Sequence, residues 1–207
     1  MGPILSFIFL NKVSAEIRLG PTIAINFSGM TWEPIGTVPP QRLILREQIG
    51  LISEVKLYKN IFLRHGLLLN GKGGRYLLGK NELVIAPWYI ELPINLLAKV
   101  PVKNTKLNVL FLGGMFFDYA LGGTYKYSFW ENVQDIKYGT GQQNDLKEID
   151  FGLNCGIGVE FRKVSLIAKY DHGLMNLTSD KTSNGVMKSR VFAFSFCILF
   201  GEKVKTR

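Results

Sequence analysis

At 207 residues, with 47% hydrophobic, 20% charged and 12% aromatic residues, the chain suits one folded domain and is too apolar for a disordered one. Its formal charge of +9 is spread along the sequence, which argues against nucleic acid and is compatible with anionic lipid headgroups. No apolar run reaches the ~18 residues of a membrane-spanning helix; the longest candidate, Leu107 to Phe117, is short and holds Asn108 and two glycines.

The chain opens MGPILSFIFLNKVSA. Pro3 to Leu10 form an apolar stretch and Val13-Ser14-Ala15 suits a signal peptidase, though no basic segment precedes them. The expected organisation is a truncated signal peptide over 1–15, a barrel over 16–201 and a basic tail over 202–207. The competing reading of the opening segment is a strand of a soluble core. Cleavage after Ala15 removes Lys12 and lowers the formal charge from +9 to +8.

From there eight segments alternate with period two, each about the ~9–11 residues of a tilted membrane strand. The first sets Ile17, Leu19, Ile23, Ile25 and Phe27 against Arg18, Thr22, Ala24 and Asn26. The second sets Ile49, Leu51, Val55 and Leu57 against Gln48, Glu54 and Lys56; the third sets Leu63, His65, Leu67 and Leu69 against Arg64 and Asn70. In the fourth, Ile90, Leu92, Ile94, Leu96 and Ala98 oppose Glu91, Asn95 and Lys99. The fifth is noisier, with Val109, Phe111, Met115, Phe117 and Tyr119 opposite Asn108, Gly114 and Asp118. The sixth sets Phe151, Leu153, Cys155, Ile157, Val159 and Phe161 against Asp150, Asn154, Glu160 and Arg162. The seventh sets Val164, Leu166, Ala168, Tyr170 and Leu174 against Ser165, Lys169 and Asp171, and the last sets Phe192, Phe194, Phe196, Ile198 and Phe200 against Ala193, Ser195 and Cys197.

Short turns are predicted at 58–60, 101–104 and 162–163, and long polar loops over roughly 29–43, 72–83, 122–147 and 177–188. That alternation predicts an all-β fold: an eight-stranded antiparallel up-and-down transmembrane β-barrel with both termini on the short-turn side. Eight strands enclose little more than their own side chains, so the small and charged face belongs inside and the rows of Leu, Ile and Phe belong in lipid. The inverse arrangement, a soluble lipocalin-like ligand-binding barrel, stays open on pattern alone.

The inward set contains Arg18, Lys56, Arg64, Lys99, Arg162 and Lys169 with Glu54, Glu91, Asp118, Asp150, Glu160 and Asp171. Charges confined in so narrow a lumen are expected to form one ion-paired network that plugs it. Phasing puts Cys155 toward lipid and Cys197 toward the lumen, so no disulfide is expected. The two histidines, His65 and His172, fall on the lipid face. Lipid A deacylases place a Ser two residues from such a His; neither histidine has one, and a membrane-interface aromatic is the plainer reading. Cysteines and histidines share no metal-ligand spacing, and Gly73-Gly74 and Gly113-Gly114 open no helix, so no metal and no cofactor is expected. The 122–147 segment holds Tyr125, Tyr127, Phe129, Trp130 and Tyr138. Two readings stand there: recognition of carbohydrate, lipid or protein, or anchoring of the rim at headgroup level.

Four stretches also carry a family resemblance. They are Tyr89-x-Glu91-x-Pro93; Asp150-Phe151-Gly152 followed by Gly156, Gly158 and Glu160; Tyr170, Gly173, Leu174 and Asn176; and an aromatic last strand with Phe196 and Phe200. Their order and spacing resemble the porin-like, PorT-like outer-membrane β-barrel family of Bacteroidota over nearly the whole mature chain. The chain departs from that pattern where Gly201 to Arg207 follow the last aromatic. The resemblance implies an integral place in a bacterial outer membrane. It also implies contact with outer-membrane lipid and lipopolysaccharide, the barrel-assembly machinery during biogenesis, and an envelope protein whose identity it leaves open. The expected function is a structural, docking or narrow-channel barrel and not an enzyme, with an outer-membrane lipid-modifying enzyme as the alternative.

Overall fold

The computed structural model describes residues 16–33, 39–128, 133–141, 143–179 and 185–201. The expected signal peptide over 1–15 and tail over 202–207 lie outside the described residues. The strands are β1 (Ile17–Glu33), β2 (Gln41–Arg42), β3 (Ile44–Tyr58), β4 (Ile61–Gly71), β5 (Gly74–Leu78), β6 (Asn81–Pro101), β7 (Leu107–Tyr127), β8 (Gln134–Asp135), β9 (Ile149–Phe161), β10 (Val164–Gly173) and β11 (Val186–Ile198). Eight of them close a ring in the order β1, β3, β4, β6, β7, β9, β10, β11, with β11 returning to β1 and every pairing antiparallel. The barrel is thus an up-and-down meander without a free edge in its wall.

At one end the connections are tight. Lys59, Asn104 and Arg162, the three non-glycine residues with positive φ among those described (40°, 61° and 56°), each sit in one of the three short turns. Left-handed backbone lets a two-residue turn match the twist of the strands it joins.

At the other end the strands run on past their expected ends, and here the loop boundaries need correction. Residues 72–83 are not a polar loop: the line of β4 resumes as β5, which pairs with β6 as far as Leu78↔Asn81. Gly79-Lys80 then turns the chain, with Gly79 at φ 65°. Residues 29–33 and 122–127 likewise continue β1 and β7. The density of Gly, Lys and Arg in these stretches imitates a loop, while Tyr76, Leu77 and Leu78 supply the strand character.

Outward positions carry the apolar band: Ile25, Leu51, Leu67, Leu96, Ile157 and Phe194 are each more than half exposed. Pro93 sits inside β6, and the β4–β6 ladder skips the two pairs beside it, between His65↔Ile94 and Leu68↔Glu91. The missing N–H therefore falls toward β4, while β7 pairs across Pro93 without a break. The interior is less uniformly polar than its sequence face implies. Phe62, Leu97, Leu110, Leu112 and Ile167 form one buried cluster, and Ile52, Leu68, Cys197 and Leu199 another. Phe116 lies opposite Gly152, where a Cβ would come within 2.6 Å of its ring, so the ring occupies the space a side chain would need. A third apolar cluster, including Met30, Tyr76, Leu83, Ile136 and Leu177, fills the long-loop mouth.

Candidate functional site

Near the short turns, register lines up alternating charges. Arg18 is the cross-strand partner of Glu54, and Glu54 is the partner of Arg64, so a +/−/+ row spans β1, β3 and β4. Arg64 reaches Glu54 at 2.7 Å and Arg18 lies 3.5 Å from it. From the far side Lys99 contacts Glu54 at 2.6 Å and Glu160 at 2.7 Å, and Arg18 closes the circuit on Glu160 at 2.8 Å. Asn108 also donates to Glu160 at 3.3 Å. Such multiply bonded pairs offset the cost of burying the charges.

Toward the long loops the row has one sign. Glu91 on β6 is opposite Asp118 on β7, and Asp118 is opposite Asp150 on β9. Like charges directly opposite each other destabilise a sheet. Lys72, wholly buried where β4 breaks before β5, supplies the counter-charge: it pairs with Asp118 and lies 3.6 Å from Glu91. Lys169 bridges Glu91 and Asp171, at 3.1 Å from each. Asn70 donates to Glu91 and receives a bond from Asn26 at 2.6 Å, while Ser189 donates to Asp150 at 2.5 Å. Oδ1 of Asp118, the Tyr89 hydroxyl and the Asn154 amide are buried without hydrogen-bond partners, so this cluster is the less completely satisfied of the two.

Between the clusters lies a cavity of about 30 Å³, bordered by Thr22, Gln48, Asn95 and Ser195. Two of the named charges lie apart from the clusters. Arg162, read from parity as inward, is exposed in the β9–β10 turn with its guanidinium 5.3 Å from the Phe161 ring, because its left-handed turn conformation ends the alternation. Lys56 stays at the rim in a half-exposed pair with Glu16 at 3.4 Å. Lys72 was missed: it fell in the supposed loop, and only the continuation of β4 into β5 would have signalled it.

On the lipid face Ser53 is the cross-strand partner of His65, a neighbour that no sequence spacing reveals. Leu19 and Ile94 flank the pair in the same row, with no carboxylate there to orient the imidazole. His172 stacks edge-on against Tyr170. Cys155 is exposed and Cys197 buried, both as free thiols. No three His, Cys, Asp or Glu side chains among the described residues are placed to hold a metal ion.

Tyr125, Tyr127 and Tyr138 pack against the apolar mouth cluster, while Phe129 and Trp130 lie outside the described residues. Tyr138 donates to the Gly122 carbonyl at 2.9 Å, and burial pushes its phenol well above the usual range.

The family described as outer membrane protein beta-barrel domain matches residues 11–179. No curated protein matches the chain. Among solved structures the chain is similar to Ail, the attachment invasion locus protein of Yersinia pestis, in complex with the heparin analogue sucrose octasulfate. That match has 10% identity and a TM-score of 0.42, over 89% of this chain and 99% of that one. Neisserial surface protein A is 8% identical over 87% and 97% of the two chains, with a TM-score of 0.43. OprG from Pseudomonas aeruginosa is 10% identical over 90% and 94%, with a TM-score of 0.42.

Proposed function

The chain belongs to the outer membrane protein beta-barrel domain family, and from that premise we propose that this integral outer-membrane barrel is a closed structural or docking element. The short-turn end faces the periplasm and the long-loop end faces outward, as in membrane barrels generally. Lipid and lipopolysaccharide surround the apolar band, the barrel-assembly machinery inserts the chain, and the long-loop end is the surface offered to an envelope protein partner.

The observation that carries this reading is the filled lumen. The space between the two ion-paired clusters is about 30 Å³, room for about two water molecules, and the two charges that border it, Arg64 and Lys169, are already paired with Glu54 and Glu91. Ion flow needs a continuous hydrated path, and so small a space between paired charges among the described residues favours a closed lumen. Planar-bilayer reconstitution of the purified protein tests it: no stable single-channel conductance is expected, and a large, persistent one would overturn the closed barrel.

The Ser53–His65 pair favours a second reading, hydrolysis of a lipid ester at the barrel surface. Its row lacks an orienting acid, and no hydrogen bond joins the two side chains. Expression of wild type, Ser53→Ala and His65→Ala should leave identical lipid mass spectra. A product present only with the wild type would establish catalysis.

A further inference from the structure

Above the apolar band, on the outside of the wall, three arginines surround a shallow recess. Arg42 on β2 and Arg75 on β5 are direct cross-strand partners, so their side chains leave the sheet on the same side. Arg75 alternates with Gly74 and Tyr76, which are buried inside; the pair therefore faces outward. Two like charges directly opposite each other cost stability unless something neutralises them. Glu82 lies 3.3 Å from Arg75, while Arg42 has no ion-pair partner among the described residues.

The third arginine stands where the wall parts. The β3–β4 ladder ends at Gln48↔Asn70, and two residues further on Arg46 places its guanidinium carbon 4.6 Å from the centre of the Trp88 ring. Its Nε is buried without a hydrogen-bond partner, with Glu47 as its neighbouring acid. Leu43, Ile44, Leu45, Val84 and Ala86 line the rest of the recess, which measures about 480 Å³, and the two leucines are 54% and 66% exposed.

The height of the recess is set by the strand. Ten residues separate Ala98, near the short-turn edge of the band, from Trp88. Along a strand tilted by ~40° they climb roughly 25 Å, the height of a barrel's lipid-facing band. Trp88 thus marks the outer interface, where tryptophan is favoured, and the arginines lie at and just beyond it.

We propose that this recess binds a phosphorylated glycolipid of the outer leaflet, its phosphate held between Arg42 and Arg75 with Arg46 below. An acyl chain covers Leu43, Leu45, Val84 and Ala86. Guanidinium groups match phosphate oxygens in paired hydrogen bonds. A free phosphate would satisfy the arginines but leave the apolar floor bare, which is why a lipid is the occupant. The site rests on the proposed outward orientation of the long-loop end.

The full chain, purified in a neutral detergent, is to be titrated with bis-phosphorylated lipid A and followed by native mass spectrometry. At least tenfold weaker retention is expected for dephosphorylated lipid A and for Arg42→Gln/Arg75→Gln, with no displacement by millimolar inorganic phosphate. Equal retention of the two lipids overturns the proposal, as does unchanged retention by the double variant. Displacement by inorganic phosphate also overturns it, reducing the recess to a simple anion site. If the double variant does not fold, Arg42→Gln alone removes an exposed side chain without an ion-pair partner and answers the same question. Lipid binding in detergent does not depend on orientation, which is read separately by labelling Lys80→Cys on intact cells. Labelling only from the periplasm overturns the orientation and, with it, the outer-leaflet site, even where lipid binding persists.

Discussion

The ammonium of Lys72 is paired with the carboxylate of Asp118 and stands 4.0 Å from the centre of the Phe116 ring, with no solvent reaching it. This one cation lies against two members of a row of three opposed carboxylates, and an aromatic face supports it from the other side. Its removal leaves an uncompensated buried charge, the most expensive kind of core lesion.

Lys72→Met is therefore expected to lower stability by about 3–5 kcal/mol in urea unfolding from vesicles. Asp118→Asn in the same chain should recover much of that loss. A Lys72→Met protein as stable as the wild type, or a double variant worse than the sum of its parts, would show that the pair does not hold the row together.

Glu91 and Leu92 are consecutive residues with opposite surroundings. Glu91 is wholly buried against Lys72, Lys169 and Asn70, whereas Leu92 is 43% exposed on the lipid side. Glu91→Ala should cost about 3–5 kcal/mol, and Leu92→Ala under about 1.5 kcal/mol. The gel shift between boiled and unboiled samples gives the order directly: the Glu91 variant should lose its folded band at the lower temperature.

The two cysteines should remain thiols under oxidising conditions. Cys155 pairs with Gly113 and Tyr170, Cys197 with Thr22 and Ser165, and β10 lies between their strands. Side chains on opposite sides of the wall cannot approach the ~3.8 Å between Cβ atoms that a disulfide needs. Intact mass under non-reducing conditions checks this, and a loss of two hydrogens would contradict the register of three strands at once.

Tyr138 ties the 133–148 segment to β7 through the Gly122 carbonyl, and burial holds its phenol neutral. Its folded pKa lies above the unfolded value of about 10, so its contribution is complete below pH 10 and declines as pH rises past it. The phenolate absorbance of wild type minus that of Tyr138→Phe isolates this group. A midpoint at or below 10 would contradict its burial.

How much of this was legible beforehand differs by kind of information. Period two fixes the side of the wall for any residue within a regular strand, so Ile23 and Phe194 read as outward from their neighbours alone. It fails at strand ends: Arg162 has inward parity, but its positive φ carries it out of the sheet. It is also silent on apolar residues facing inward. Leu110, Leu112 and Phe116 made β7 look noisy because both of its faces are apolar. Relations that depend on register between strands were out of reach. Neither the acidic row of Glu91, Asp118 and Asp150 nor the cross-strand pairing of Ser53 with His65 follows from spacing along the chain. Lys72 combined both difficulties, lying in a glycine-rich stretch that imitates a loop and acting on strands β6 and β7.

The separation of the two clusters gives the barrel a polarity along its axis. Among the described residues, Glu91, Asp118, Asp150 and Asp171 near the long loops are set against Lys72 and Lys169, and Arg18, Arg64 and Lys99 near the short turns against Glu54 and Glu160. In formal charge the long-loop half is negative and the short-turn half positive. On these formal charges a cation entering at the long-loop end would be drawn in and then repelled, and an anion entering at the short-turn end would meet the mirror image of that profile. If the lumen is closed as proposed above, each sign would meet a region of like charge before it could cross, and the two halves would oppose ion passage like the two sides of a reverse-biased junction.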